Sequence, residues 1–233
     1  MSPMNLLDLL FPKTCIGCGK YGRYFCDSCV LEIRQSELVC PFCEKQNLGG
    51  VVHAVCERRY GLDGFWYLGV YNGALRKAIQ KLKYKWVSGI ASELVDITLE
   101  YWAKNSPVVL DKVKKNRGQD WIVTSVPLHI RRQNWRGFNQ SELLAKLFAQ
   151  RLGLRYLNLL RRIRNTTPQM KLLAHERKTN IKNAFEPAVS HQLSDVSVLL
   201  IDDVWTTGST LKECCYVLKR NGAGKVWALT IAR

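Results

Sequence analysis

Acidic residues are scarce. Over 233 residues, 19 Asp and Glu face 35 Lys and Arg, a formal charge of +16 at pH 7. That imbalance disfavours acidic partners and favours phosphate-rich ones: nucleic acid, nucleotides or an anionic membrane surface. The plainer alternative is that Lys and Arg solvate helix faces. Long apolar runs are missing too: none approaches the roughly 18 residues of a membrane span, so no transmembrane segment is expected. The opening stretch MSPMNLLDLLFP has no basic n-region, carries Asp8 inside its apolar patch and has no small-residue cleavage site. These features do not fit a secretory signal, and a cytoplasmic location is expected. Neither a Gly-Lys-Ser/Thr phosphate loop nor a dinucleotide glycine fingerprint occurs, which excludes two common nucleotide-binding motifs. There is no low-complexity tract, and no internal repeat beyond a duplicated cysteine pattern. With 47% hydrophobic residues, a chain of this size can bury roughly 70% of its unfolded surface, enough for one medium domain and a small appendage.

Charge and cysteine divide the chain at the same place. Residues 1–60 hold seven Lys/Arg against six Asp/Glu, and residues 61–233 hold 28 against 13. Seven of the nine cysteines precede residue 57, mostly as CIGC, CDSC and CPFC. Two residues between thiolates let a tight turn present both sulfurs to one tetrahedral zinc, and two such knuckles close a four-ligand site. Cys15, Cys18, Cys26 and Cys29 form one complete set. Cys40, Cys43 and Cys56 form a second if His53 fills the remaining position, since imidazole nitrogen is an ordinary zinc ligand. Other readings stay open: disulfides, disfavoured in the cytosol; a thioredoxin-like redox pair, which several CxxC pairs in a row argue against; a zinc shared between other pairs; and His53 as a plain loop histidine. Cys214 and Cys215 read as small core residues of a helix.

Beyond residue 60, GFWYLGVY (64–71) reads as a strand, followed by a basic amphipathic helix ALRKAIQKLKYK and a second helix over about 88–104. The stretch NSPVVLDKVKKNRGQD reads as a loop and WIVTSVPL (121–128) as a buried strand. A basic loop, a helix from about Asn139 to Leu152 and a strand near RYLNLL follow. A long polar segment then precedes the strand VSVLLI, a helix ending at RNGAG and a final strand KVWALTIA. Strands alternating with helices predict an α/β fold, a parallel sheet covered on both faces. The domains expected are a double zinc ribbon at 1–60 and an α/β domain at 61–233.

Ligands of such sheets bind outside the carboxyl ends of the strands. In SVLLIDDVWTTGST the strand ends at Asp202 and Asp203, and a helix begins near Ser209. Gly208 permits a tight turn. Backbone N–H groups and the hydroxyls of Thr206, Thr207, Ser209 and Thr210 can converge on one phosphate, aided by the positive end of the helix. Two carboxylates beside a phosphate cradle suit a ligand with both a phosphate and a vicinal diol, each carboxylate accepting a ribose hydroxyl. A capping Asp followed by a turn would account for one acid, not for two acids and four hydroxyls.

LLIDDVWTTGST resembles the phosphoribosyl-pyrophosphate (PRPP) loop of type I phosphoribosyltransferases. More narrowly the chain resembles the ComF/GntX family, associated with DNA uptake in naturally competent bacteria. The likeness runs from the cysteine knuckles through KLKY, VPLHIRRQNWRGFNQSELLA, RNTTPQ and ERKTNIKNAF to the PRPP loop. It departs at His53, where cysteine is usual, and at Trp205, bulky for the loop. It implies that residues 61–233 are a phosphoribosyltransferase-like domain. Asp202 and Asp203 would then hold the ribose hydroxyls, as catalytic as well as binding residues, and Thr206 to Thr210 the 5-phosphate.

PRPP also carries a pyrophosphate, whose charge calls for cations. Mg²⁺ normally serves, held mainly by the ligand. Arg131, Arg132 and Arg136 leave an adjacent strand end near it, where an Arg fork suits phosphate oxygens; a solvated loop is the alternative. The segment Arg161–Arg177 is long enough for a lid. His129 and His175 are candidate bases by location only, each more simply structural. Two functions follow: a PRPP-binding protein of DNA uptake that contacts single-stranded DNA, with the uptake machinery as a further partner, or a phosphoribosyltransferase of nucleotide metabolism that releases pyrophosphate. Tyr84, Trp86, Trp135 and Phe138, interleaved with Lys and Arg, favour the strand contact, although aromatics at such spacings also serve as core. The expected contact is Lys81, Lys83 and Lys85, outside the phosphate cradle.

Overall fold

A computed structural model describes residues 12–84, 88–105, 121–166, 180–188 and 193–233. Lys85, Trp86, His175 and residues 167–177 of the expected lid lie outside the described residues, as does the side chain of Tyr84. Five strands, β1 (Gly64–Gly69), β2 (Trp121–Ser125), β3 (Arg155–Tyr156), β6 (Ser197–Val204) and β7 (Val226–Ala232), form one parallel sheet in the order β1-β7-β6-β2-β3. β4 (Leu160–Arg162) and β5 (Phe185–Pro187) pair antiparallel as a separate ribbon. The helices are α1 (Asp27–Leu31), α2 (Gly73–Tyr84), α3 (Ser88–Asn105), α4 (Ile130–Arg136), α5 (Gln140–Leu152) and α6 (Ser209–Arg220).

The expected parallel α/β sheet is therefore observed, and strand alternation explains its two cores. Along β6, Leu199 and Ile201 join Trp66, Leu68, Val123 and Leu229 on the face covered by α2, α3 and α5. Val198 and Leu200 join Phe65, Ile122 and Ala228 on the opposite face, where α6 and the β4–β5 ribbon pack. Residues buried on both sides account for the near-continuous apolar runs of β6 and β7. The connections also locate the ligand edge. The chain leaves β2 through α5 towards the outer strand β3, whereas it leaves β6 through α6 towards β7 on the other side. The carboxyl ends of β2 and β6 thus flank a topological switch point, where open α/β sheets place a crevice.

Two local readings differ. The basic loop after β2 contains a seven-residue helix, α4, begun by His129, whose Nδ1 accepts from the Arg131 N–H at 3.3 Å, and ended by Gly137 at φ 78°. RYLNLL divides into β3, which extends the main sheet, and the start of β4, which does not.

The cysteine segment gathers into two four-residue groups in chain order, Cys15/Cys18/Cys26/Cys29 and Cys40/Cys43/His53/Cys56, with the ligand atoms of each within 4.8 Å of one another. The Sγ atom of Cys26 lies 3.6 Å from those of both Cys15 and Cys18, and Cys43 Sγ lies 3.4 Å from His53 Nδ1. A tetrahedral zinc with Zn–S bonds of about 2.3 Å has S···S edges of about 3.8 Å, so both groups fit zinc and could hold it. The sulfurs are too far apart for disulfides, and all nine cysteines are free. Burial pushes Cys15 up, but N–H groups of Cys26, Cys18 and Gly17 outweigh it and bring the thiol down to about 6, whereas burial and the neighbouring thiols push Cys29 and Cys56 up. Cys214 and Cys215 are buried in the α6 core, as read.

The ribbons share the body's cores. Ile16, Phe25 and Ile33 pack with Leu82, Leu94 and Val95, and Val39 packs with Phe65 and Tyr67. Glu93 of α3 accepts the backbone N–H of Tyr24 at 3.1 Å and of Phe25 at 2.9 Å. Tyr67 donates its hydroxyl to the Glu37 carbonyl at 2.6 Å, and Trp66 Nε1 donates to the Gly49 carbonyl at 2.8 Å.

Structural zinc contributes on the order of 10 kcal/mol to folding small ribbons, so metal analysis of the purified protein should return two zinc ions per chain; one would remove His53 from the ligands, and none would defeat the double ribbon. Charge-assisted hydrogen bonds contribute about 1.5–3 kcal/mol each, so Glu93→Ala should cost about 3 kcal/mol in denaturant unfolding, and an unchanged midpoint would show that the ribbon is held without it.

Candidate anion-binding cleft

β6 carries its aliphatic run into the sheet centre and ends at the two acids. Successive strand residues face opposite sides, which separates their partners. Asp203 Oδ2 accepts from Lys83 Nζ of α2 at 3.0 Å and from Gln140 Nε2 of α5 at 3.1 Å, and its side chain is nearly buried. Both hydrogen bonds that Asp202 accepts among the described residues fall on Oδ1, from Ser141 Oγ at 2.8 Å and from the Asp203 N–H at 2.9 Å. Burial, then the neighbouring charge of Asp203, push the Asp202 carboxyl up to about 7, against the pull of the Ser141 hydroxyl, the Asp203 N–H and Lys83. Burial pulls Lys83 down, but the Asp203 carboxylate outweighs it and leaves the ammonium above its usual value.

The acids open on a cavity of about 200 Å³ whose wall includes Lys83, Arg132, Arg136, Arg162, Thr206 and Thr210. Four cations face two carboxylates, a surplus of two positive charges turned inward. Arg132 donates to the Thr166 carbonyl at 2.5 Å, and Arg162 donates through Nη2 to the Thr166 hydroxyl. Arg136 donates to Gln140 Oε1 at 3.1 Å. Burial, reinforced by Arg132, brings the Arg162 guanidinium down to about 10, and its Nε is buried without a hydrogen-bond partner among the described residues. Cations held this close, away from water, favour an anion that neutralises them.

Beyond β6 the loop turns at Gly208, with φ 67°. A Cβ there would lie 2.1 Å from the Trp205 ring, so both the left-handed backbone and the close approach require glycine. Trp205, bulky in sequence, is a floor for this turn: it is buried and stacks on Phe65 at 4.1 Å between ring centroids. Gly208 begins α6 without a side chain of its own to cap it, the Ser209 N–H donates to the Thr207 hydroxyl at 3.4 Å, and the positive end of the helix favours an anion beside this turn. Thr206, Gly208, Ser209 and Thr210 line a recess continuous with Asp202. The Thr207 hydroxyl does not line it; it bonds that of Ser209 at 2.7 Å.

Most residues singled out in sequence thus converge here: Asp202, Asp203, Thr206, Gly208, Ser209, Thr210, Arg132 and Arg136. Arg131 does not line the cleft and is exposed. In α4, residues 132 and 136 are i,i+4 neighbours on one face, whereas residue 131 is turned about 100° away. Lys83 is a correction in the other direction. Expected on an exposed nucleic-acid face, it reaches over the end of β6 into the cleft, because it follows the buried Leu82 and borders the core stripe of α2. Lys81 is exposed. His129 is the cap of α4. Gln140, Ser141, Arg162 and Thr166 were missed. The first two adjoin or belong to the RGFNQ stretch read for its arginine, and Thr166 lies in RNTTPQ.

No helix among the described residues is long and apolar enough to cross a membrane. The chain matches no protein-family model. It is 33% identical over 211 residues to the DNA utilization protein YhgH of Salmonella typhi, covering 88% of each chain. It is 34% identical over 221 residues to the YhgH protein of Escherichia coli K12, covering 91% of each. Competence protein F of Haemophilus influenzae is 29% identical over 226 residues, 94% of this chain and 90% of that one. Likeness of this extent shows that the chain belongs to the ComF family.

Proposed function

We propose that this chain binds PRPP with Mg²⁺ and acts in the uptake and use of DNA, contacting a single strand. Residues 1–60 are then a double zinc ribbon and residues 61–233 a phosphoribosyltransferase-like domain. The observation that carries the ligand reading is the opposition, across the switch point, of a paired-acid strand end with a helix N-terminus and a surplus of inward-facing cations. The 5-phosphate sits on the turn from Thr206 to Thr210 and the α6 N–H groups. Asp202, whose hydrogen bonds both use Oδ1, offers Oδ2 to a ribose hydroxyl. Asp203, held by Lys83 and Gln140, contributes position as much as contact. Arg132, Arg136 and Arg162 receive the pyrophosphate. With Asp203 already paired, the protein offers Mg²⁺ few carboxylates, which suits an ion carried by ligand oxygens; bound there, it supplies charge neutralisation. The DNA role rests on the relatives, which are named for competence and DNA utilization.

A second reading, catalytic phosphoribosyl transfer with loss of pyrophosphate, is favoured by one observation: Asp202 is poised near neutrality beside the position of the ribose. Release of pyrophosphate from PRPP, alone or with added bases, discriminates the two.

Mg²⁺ with PRPP should raise the melting temperature. Asp202→Asn/Asp203→Asn should remove the shift, since two charge-assisted hydrogen bonds at about 1.5–3 kcal/mol each weaken affinity well over tenfold; a shift retained in that variant would place the ligand elsewhere. Lys83→Ala should also weaken PRPP, by leaving Asp203 without its cation, and undiminished affinity would show that the ion pair has no part in binding.

The raised Asp202 carboxyl fixes a pH dependence. A carboxyl whose folded-state value lies above its unfolded one favours folding while protonated, and this contribution is lost as pH rises from about 4 through about 7. Ligand-free Asp202→Asn should therefore gain melting temperature over the parent at pH 8 and little at pH 4. PRPP affinity should move oppositely, rising through pH 7 as the carboxylate becomes an acceptor for the hydroxyl. An Asp202→Asn variant with the parent's full pH profiles in both measurements would contradict the assignment.

A further inference from the structure

The surface opposite the cleft end of α6 carries three stacked guanidinium–aromatic pairs in a row. Arg58 lies over the Phe42 ring at 4.7 Å, Arg59 over Tyr60 at 5.2 Å, and Arg220 over Tyr216 at 5.7 Å. Tyr60 and Tyr216 meet edge to face at 5.6 Å. The run joins the second cysteine ribbon, through Phe42 and Arg58–Tyr60, to the last turns of α6. Phe42 is 51% exposed and Tyr216 38%. Arg58, Arg59 and Arg220 form no ion pair among the described residues; Arg58 donates only to the carbonyls of Val55 and Glu57, and Arg220 to the Tyr216 hydroxyl. Glu57 is an exposed acid in the same run, so three cations against one acid leave a surplus of two.

Tyr216 and Arg220 also form one wall of a groove of about 340 Å³, completed by Ile163, Phe185, Asn183 and Asn221. The groove also carries two part-exposed acids, each with a partner: Glu186 pairs with Arg161, and Glu213 accepts the Asn183 N–H at 2.7 Å. An open groove with ring and aliphatic walls and amide side chains at its edge offers stacking faces and hydrogen-bond partners to an unpaired base. The arginines beside it offer forks to backbone phosphates. Duplex DNA presents phosphates but no free base faces, so the combination fits a single strand.

We propose that the Phe42–Arg58–Arg59–Tyr60–Tyr216–Arg220 ladder and the groove it enters are the single-stranded DNA contact of this chain. The proposal rests on the strand-binding half of the function given above and moves its location away from α2, whose Lys83 is engaged in the cleft. Tyr216 and Arg220 lie about 12 and 18 Å along α6 from Gly208, at 1.5 Å per residue, so the two sites separate by mutation.

The experiment titrates fluorescein-labelled dT20, and a 20-base-pair duplex, into the full-length zinc-loaded protein by anisotropy at several salt concentrations. The Mg²⁺–PRPP thermal shift is measured on every variant as a folding and cleft control. Wild type should bind dT20 more tightly than the duplex. Arg58→Glu/Arg59→Glu/Arg220→Glu should lower affinity at least tenfold and flatten the log–log salt slope by about 2, at about 0.7 per phosphate. Tyr216→Ala should cost about tenfold with the slope unchanged, because it removes stacking and not charge. The variants' PRPP shift should equal that of wild type. Wild-type binding of dT20 retained in both variants would overturn this surface while leaving a strand-binding function intact. Failure of wild type to bind dT20 at low salt would overturn both, and equal affinity for the duplex would overturn the stacking role.

Discussion

A carboxylate buried at the end of a central strand must be met by a cation or a proton, and at this sheet edge both solutions occur side by side. Asp203 is met by Lys83, which ties the end of α2 and, through Gln140, the start of α5 to the last residues of β6. Ion pairs this enclosed add little net stability, because desolvation offsets the attraction, yet removing one partner is costly. Their effect is to fix position: three elements distant in sequence are held in register around one oxygen. Asp202, one residue earlier and facing the other way, has Ser141 and an N–H in place of a cation. It is the acid left adjustable, and the arginines across the cleft leave room for the negative charge of a ligand.

The same edge explains the glycine and tryptophan of the turn. A phosphate cradle built from N–H groups needs a backbone with no side chain in the way, and here the floor is an aromatic plane. Trp205 stacks on Phe65 of β1 and presses against Gly208 from below, so a departure from the usual loop composition becomes a support. On the far side, the cysteine ribbons close over the same cores through Phe25, Ile33 and Val39. Disorder of the cysteine groups there would be felt by α3 and β1, and the Arg58–Tyr60 stretch is set where ribbon and α6 meet.

The sheet was legible because its strands are short apolar runs punctuated by turn residues, and the turn after β6 because two acids, one glycine and four hydroxyls follow such a run. The cysteine spacing carried both four-residue groups that could hold zinc, including His53, whose Nδ1 lies with Cys43. Less could be read where the deciding contact is tertiary. α4 has seven residues and no apolar stripe, so it reads as a loop, and without its helical phase Arg131 cannot be told from Arg132 and Arg136. Lys83 looks like any lysine of a basic helix until α2 is laid over the sheet end. Arg162 belongs to a three-residue strand whose partner, β5, lies more than twenty residues on, a pairing that periodicity does not reveal.

The proposed roles of the acids, the arginines and the turn all require the cleft between the ends of β2 and β6 to be a PRPP site. A crystal structure of the zinc-loaded protein with PRPP and Mg²⁺ tests it most directly. It should show the 5-phosphate on the turn from Thr206 to Thr210, a ribose hydroxyl within hydrogen-bond distance of Asp202, and the pyrophosphate facing Arg132, Arg136 and Arg162. Ligand density elsewhere on the molecule, with the acids and arginines of the cleft still paired only among themselves, would contradict it.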